Sequence, residues 1–228
     1  MDDANAKSVK AVLLGESGVG KTSIIMQFTT GSFDPEVVTS ISAQYVSKTV
    51  EYDNFQKAIK FDIWDTAGQE KYRALAKIFY KEAKVVLLVY DISDRKSFEE
   101  LKGYWYNAIK ENVDSDAIIA IVANKSDLYN SSQVDENEAK EYAKSINALF
   151  QSTSAKSNVG INGLFDNIGQ KYFDPNFDFN ALDSKEKEQY QKKKEETKQK
   201  KKEPKGMKIT NESAKEKDKE KKKKGGFC

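Results

Sequence analysis

Short apolar runs alternate along this chain with longer stretches of helical periodicity. Val9–Leu14 is a mostly apolar run halted by Gly15, the pattern of a buried strand. Helical spacing follows from Lys21 to about Thr30. Residues 43–52 and 57–65 are rich in Val, Ile, Phe, Tyr and Trp, with Tyr52–Gln56 between them as a turn, so the pair reads as a hairpin. A second helix is predicted beyond Leu75, then a strand over Lys84–Asp91 and a third helix over 97–111. A strand over Ala117–Asn124, a helix over Asp135–Ser145, a short strand over Leu149–Ser152 and a last helix from about Ile161 to Phe173 complete the pattern. Strands alternating with helices predict an α/β fold with a mostly parallel six-stranded sheet and helices on both faces. The hairpin adds one antiparallel edge strand, and the fully apolar strands fit a sheet covered on both sides.

Past about Asp178 the pattern stops. Residues 184–224 are mostly Lys, Glu, Gln and Ser, and such a segment cannot bury enough surface to offset its ordering entropy. The expected organisation is a folded domain over 1–178 and a disordered basic tail over 179–228. Charge divides at the same place. From Ala181 onward there are 18 lysines and 10 acidic residues, a net of +8, so with +2 overall residues 1–180 carry −6. In that acidic body no Lys/Arg stripe is interleaved with aromatics, which argues against a nucleic-acid surface. Cys228 is the only cysteine, which excludes an intrachain disulfide. With no basic, apolar leader and with Asp2 in place of glycine, neither a signal peptide nor N-myristoylation is expected. The longest apolar runs, Val85–Tyr90 and Ala117–Ala123, are too short to span a bilayer. There is no histidine, so catalysis cannot use the commonest general base.

The candidate chemistry lies where predicted strands end. Gly15-Glu16-Ser17-Gly18-Val19-Gly20-Lys21-Thr22 stands between a strand and a helix and matches the phosphate-binding loop. Its glycines let backbone N–H groups wrap a phosphate at a helix N-terminus. Lys21 would reach the terminal phosphates, and the Thr22 hydroxyl would ligate Mg²⁺. Trp64-Asp65-Thr66-Ala67-Gly68-Gln69 follows the next strand. Asp65 can hold Mg²⁺ through a water, the Gly68 N–H can meet a γ-phosphate, and Gln69 can orient the attacking water. In Asn124-Lys125-Ser126-Asp127, the Asp127 carboxylate can accept from the N1 and N2 donors of guanine, a pair adenine lacks. Asn124 can tie this loop to the phosphate loop, and the Lys125 stem can cover the base. In Ser154-Ala155-Lys156 the Ala155 N–H can meet guanine O6. Alone, each of the last two motifs is a common loop. Four in order, each at a strand's C-terminal end, are not.

On these motifs the chain resembles the Ras superfamily of small GTPases over roughly residues 8–175, and within it the Rab family. Ser17 in the phosphate loop, Ile41–Tyr45, Ile63–Glu70, Tyr72–Leu75 with Phe79-Tyr80, and Val89–Ser93 carry the resemblance. Ile78–Tyr80 through Ser97-Phe98, with Trp105 after it, is most similar to the endocytic, early-endosomal branch. The resemblance implies a P-loop G domain that binds GTP and GDP with Mg²⁺ and hydrolyses GTP slowly, recruiting effectors when GTP-bound. Ser17, Gly18, Val19, Gly20 and Ser23 join the implied nucleotide contacts, as does Phe33, edge-on to the base. Ser40 stands where the family has threonine as an Mg²⁺ ligand. Ile41, Tyr45, Trp64 and Phe79 correspond to the effector-facing surface, the family's Phe-Trp-Tyr triad being Tyr-Trp-Phe here; Trp105 reads as core.

The implied partners are an exchange factor, a GTPase-activating protein, effectors, and an escort protein or GDP-dissociation inhibitor. Rab proteins usually end in two prenylated cysteines; here Phe227 precedes a single Cys228. One lipid binds a membrane marginally, so the expected anchor is prenylated Cys228 assisted by Lys221–Lys224. Peripheral attachment to the cytosolic face of endosomal or other trafficking membranes follows. Two alternatives stay open here. A P-loop ATPase or kinase is disfavoured by Asn124–Asp127, and a catalytically silent GTP-bound module is disfavoured by Gln69.

Overall fold

The computed structural model describes residues 6–36, 44–66 and 73–177. Ser40, Ile41, Gly68, Gln69 and Cys228, and the tail from 178 onward, lie outside the described residues. Six strands form one sheet in the order β2-β3-β1-β4-β5-β6. They are β1 (Ala6–Leu14), β2 (Gln44–Tyr52), β3 (Lys57–Asp65), β4 (Val85–Asp91), β5 (Ile118–Asn124) and β6 (Leu149–Ser152). Every pairing is parallel except that of β2 with β3, which places the one antiparallel strand at an edge as expected. The parallel strands therefore all end on the same side, and their C-terminal loops converge there.

Alternation along the central strands explains the two covered faces. Val9, Ala11 and Leu13 of β1 join Val85, Leu87 and Val89 of β4 in a core shared with α1 (Lys21–Thr30) and α6 (Ile161–Phe173). Val12 and Leu14 join Val86, Leu88 and Tyr90 in a second core. There they meet Phe98 of α3 (Arg95–Glu100), Ile109 of α4 (Tyr106–Lys110), and Ala139 and Ala143 of α5 (Glu136–Ser145). A further helix, α2 (Arg73–Tyr80), follows β3 in the chain. In the first core, Phe28 of α1 stacks on Phe165 of α6 with ring centroids 3.5 Å apart.

The third predicted helix is more divided than its periodicity suggests. It starts at Arg95, because Asp94 caps it by accepting from the Lys96 N–H. A single π-helical turn, Leu101–Trp105, then separates α3 from α4. Among the described residues no helix is long and apolar enough to cross a membrane.

A tight crossing ties β2 to α6. The Tyr52 hydroxyl donates to the Phe165 carbonyl at 2.8 Å, and the Tyr52 ring lies where a Cβ on Gly169 would stand. That ring is buried and tethered, so it cannot move aside. Gly169→Ala is expected to lower stability by about 1–3 kcal/mol, the usual cost of overpacking. Thermal unfolding of the two proteins checks it; equal midpoints would show that the crossing has slack.

Candidate functional site

The phosphate loop is shaped by backbone that only glycine tolerates. Gly20, the N-cap of α1, has φ +94°, and a side chain there would overlap the Asn124 amide. A Cβ on Gly15 would overlap the Val89 carbonyl oxygen of β4. Inside the loop sits Lys21, its ammonium donating to the Gly15 carbonyl at 2.9 Å and the Glu16 carbonyl at 2.8 Å. Burial pushes its pKa down to about 8, against the raising influence of the Asp65 and Glu16 carboxylates. A desolvated cation held by two carbonyls and nearby carboxylates is poised for an anion it can neutralise.

Register brings the second motif alongside. Leu13 of β1 pairs with Asp65 at the end of β3. The Thr22 hydroxyl donates to the Asp65 carboxylate at 2.6 Å, and both carry the hard oxygens that Mg²⁺ prefers. Among the described residues no group of three His, Cys, Asp or Glu side chains could hold a metal. The donor set thus fits a hard cation sharing its coordination with phosphate oxygens and water, the usual Mg²⁺ arrangement, and does not fit an all-protein cage. Next to Asp65, Thr66 is buried and its hydroxyl donates to the Leu13 carbonyl at 2.6 Å, fixing where the following loop departs.

The two loops at the far end of the sheet are bound to each other. Asn124 is buried; its amide N–H donates to the Val19 carbonyl at 2.8 Å, and its oxygen accepts from the Thr153 hydroxyl at 3.1 Å. One side chain thus connects the phosphate loop, β5 and the loop after β6. Lys125 adopts a left-handed backbone, φ +63°, and its ammonium pairs with Asp91 at 2.6 Å. Its aliphatic stem is thereby held across the loop. Asp91 in turn accepts from the Ser93 N–H and hydroxyl. The Ser154 hydroxyl donates to one oxygen of the half-buried Asp127 at 2.6 Å, which orients that carboxylate. Ser154 and Ala155 are buried, and Lys156 is exposed.

The structure thus gathers Lys21, Thr22, Asp65, Asn124, Lys125, Asp127 and Ser154–Lys156 at the C-terminal end of the sheet's parallel strands. Ser17 and Gly18 are exposed at the loop tip, Val19 is buried, Ser23 is half-buried in the first turn of α1, and Phe33 is half-buried against the first core. Thr66, Asp91 and Thr153 carry bonds in this network that their sequence context did not assign. Each adjoins a residue that was assigned or closes an apolar strand, and that adjacency was the available signal.

A separate aromatic surface forms on β2, β3 and α2. Tyr45 and Trp64 are cross-strand partners with rings 5.4 Å apart, and Trp64 lies 5.6 Å from Phe79. Trp64 and Phe79 pack partly on the second core, whereas Tyr45 is 52% exposed. The Tyr45 hydroxyl, absent from the family's phenylalanine, donates to Asp62 at 2.6 Å and fixes the ring's tilt.

The sequence matches the Ras family over residues 10–174. It is 42% identical over 165 residues to the Ras-related protein Rab-22A of Homo sapiens, covering 72% of this chain and 84% of that protein. Over 165 residues it is 41% identical to Rab-31 of Rattus norvegicus, covering 72% of this chain and 83% of the relative. RabJ of Dictyostelium discoideum is 40% identical over 162 residues, which span 71% of this chain and 62% of RabJ. The chain belongs to the Ras family of small GTPases. Within it the chain is a Rab protein on the side of Rab-22A and Rab-31, the endosomal branch that its sequence resembles. It is accordingly a GTP-binding switch of membrane trafficking and a GTP hydrolase.

Proposed function

We propose that this Rab protein hydrolyses GTP slowly and recruits effectors to endosomal membranes while GTP is bound. The convergence of Lys21, the Thr22–Asp65 pair and the Ser154–Asp127 pair at the C-terminal end of the parallel strands supports this reading. Asp127 and the Ala155 N–H would read the guanine, with the Lys125 stem and Phe33 against it and Asn124 bracing the loop beneath. Backbone N–H groups of residues 17–23 and the Lys21 ammonium would hold the phosphates. Thr22, Ser40 and, through water, Asp65 would hold Mg²⁺, which when bound supplies charge neutralisation to the β- and γ-phosphates. Gln69 would orient the attacking water, and the Gly68 N–H would meet the γ-phosphate.

Turnover is expected to be slow without help. Of the two arginines in the chain, Arg95 is committed to Glu99 and Glu138. Among the described side chains no arginine is free for the phosphates, and an activating protein is expected to supply the remaining transition-state charge. Contact with the γ-phosphate would order residues 34–43 and 66–80, and its loss would release them. Ile41 with the Tyr45–Trp64–Phe79 surface would present that state to effectors. Residues 1–178 would form the switch. Residues 179–228 would deliver it to membranes through prenylated Cys228 and the lysine cluster, with an escort protein or dissociation inhibitor covering the lipid.

Denaturing the purified protein is expected to release GDP or GTP, identified by chromatography. From the folded protein EDTA should accelerate nucleotide loss, excess ATP should not compete for the site, and single-turnover phosphate release should fall with Gln69→Leu. Recovery of no guanine nucleotide, or competition by ATP, would overturn the assignment. Intact mass of the protein from its native cells, showing an unmodified terminus, would remove the lipid anchor.

A further inference from the structure

We infer that Trp105 is a positioning residue of the phosphate loop, its indole N–H holding the Glu16 carboxylate and thereby fixing the segment that grips Lys21. This rests on the proposed reading of that loop as the nucleotide site. The indole donates to Glu16 Oε1 at 3.0 Å, across 89 positions of sequence. Trp105 is fully buried in the second core, with Tyr104 edge-on to it at 5.1 Å. It is a fixed post and does not follow the loop. Glu16 is half-buried, and its own carbonyl accepts one of the two Lys21 bonds described above.

A loop built on glycines needs anchors, because its backbone freedom is otherwise lost only when ligand binds. Two are already evident: Lys21 from within, and Asn124 on the Val19 carbonyl at the loop's far end. The Glu16 side chain lies at the opposite end, its carboxylate close enough to Lys21 to oppose the lowering of that residue's pKa by burial. Trp105 gives the carboxylate a donor from the rigid core, in a charge-assisted bond stronger than one between neutral partners.

The π turn Leu101–Trp105 is what aims the indole. One extra residue in a turn shifts everything after it by about 100° around the helix axis. A regular helix would therefore present a neighbouring position to Glu16. The structure thus gives the irregular turn a function: it connects the second core to the phosphate loop. A pinned loop keeps its N–H groups converged, so bound nucleotide leaves more slowly.

The test is the rate at which the full-length protein, loaded with a fluorescent GDP analogue and Mg²⁺, loses it to excess GDP. Trp105→Phe keeps most of the ring's packing and deletes the N–H. It is expected to speed release by about fivefold to tenfold, less than the full worth of a hydrogen bond to a charged group because the bond holds the loop and not the nucleotide itself. Glu16→Ala should speed release at least as much, since it also removes the carboxylate beside Lys21, and the double variant should be no faster than Glu16→Ala, because the indole acts through that carboxylate. Glu16→Gln keeps an acceptor oxygen and should restore most of the slow rate. Should Trp105→Phe fail to fold, the Ala/Gln pair at Glu16 decides alone. Release from Glu16→Ala at the wild-type rate, or multiplying effects in the double variant, overturns the inference. Wild-type protein that retains no GDP at all would instead sink the nucleotide assignment beneath it.

Discussion

Asp127→Asn is expected to lose GTP binding and to gain affinity for xanthine nucleotides. The two oxygens of Asp127 differ in what they do. One accepts from the Ser154 hydroxyl at 2.6 Å, which fixes the carboxylate's plane. Guanine presents two parallel donors, N1–H and the N2 amino group, and a carboxylate can accept both. Asparagine offers one acceptor and one donor. Its oxygen can keep the Ser154 bond, so its NH₂ group then faces the guanine amino group, donor against donor. A site left with mismatched buried donors typically discriminates by about a thousandfold or more. Xanthine carries an oxygen where guanine has its amino group, which restores the match. Competition of GTP, GDP and their xanthosine counterparts against a fluorescent nucleotide measures the switch. If the variant kept guanine affinity within about threefold of wild type, Asp127 would not be the base reader, since losing even one such bond exceeds that factor. Because Ser154 only orients the carboxylate, Ser154→Ala should weaken GTP by about tenfold without altering base preference.

Much of this architecture was legible because strongly apolar strands and glycine-punctuated loops are local signals. Helix α1, strand β6 and helix α6 fall where periodicity put them. What was illegible depends on register between distant segments. Strand β1 starts at Ala6 because Lys7 and Ser8 pair with Ile59 and Lys60, yet these polar positions extend no apolar run. Gly169 looks like an ordinary helix-weakening glycine until Tyr52, far away in sequence, is seen to occupy its missing Cβ. Trp105 has the composition of core and the burial of core. Only the π turn, which no periodicity predicts, directs its N–H to Glu16. Lys21, Thr22, Asp65, Asn124 and Asp127, which the fold brings to one end of the sheet, were legible because each stands in a contiguous motif. The residues that brace them work through partners distant in sequence, Thr66 with Leu13, Asp91 with Lys125 and Thr153 with Asn124, and a single sequence does not show those pairings.

Lys21→Met should move two properties in opposite directions. Lys21 is nearly inaccessible, and burial lowers its pKa from 10.5 to about 8. That shift corresponds to roughly 3 kcal/mol by which the empty fold is destabilised at neutral pH for holding an ammonium there. Methionine keeps most of the stem's volume and removes the charge, but leaves the Gly15 and Glu16 carbonyls without their donor. The net gain for the nucleotide-free protein is expected to be about 1–2 kcal/mol, since each deserted carbonyl recovers part of the cost. For GTP the sign reverses: losing a charge-assisted contact to the terminal phosphates should weaken binding by about a hundredfold or more. The pH dependence follows from the same group. Its folded pKa lies below its unfolded value, so the penalty is complete below about pH 8 and shrinks as pH rises towards about 10.5. Nucleotide-free wild type should therefore gain stability between about pH 8 and 9.5 relative to Lys21→Met, while its GTP affinity falls over the same interval. Above that range the buried hydroxyls of Tyr80, Tyr90 and Tyr142, all held above the ordinary tyrosine pKa by burial, act the other way. Unfolded tyrosines ionise first and favour unfolding. Thermal midpoints of both nucleotide-free proteins across this range, with GTP affinities beside them, test both signs together. A variant less stable than wild type at neutral pH, or one that binds GTP as tightly, would show that Lys21 is held in the loop for a structural purpose and not kept there for the phosphates.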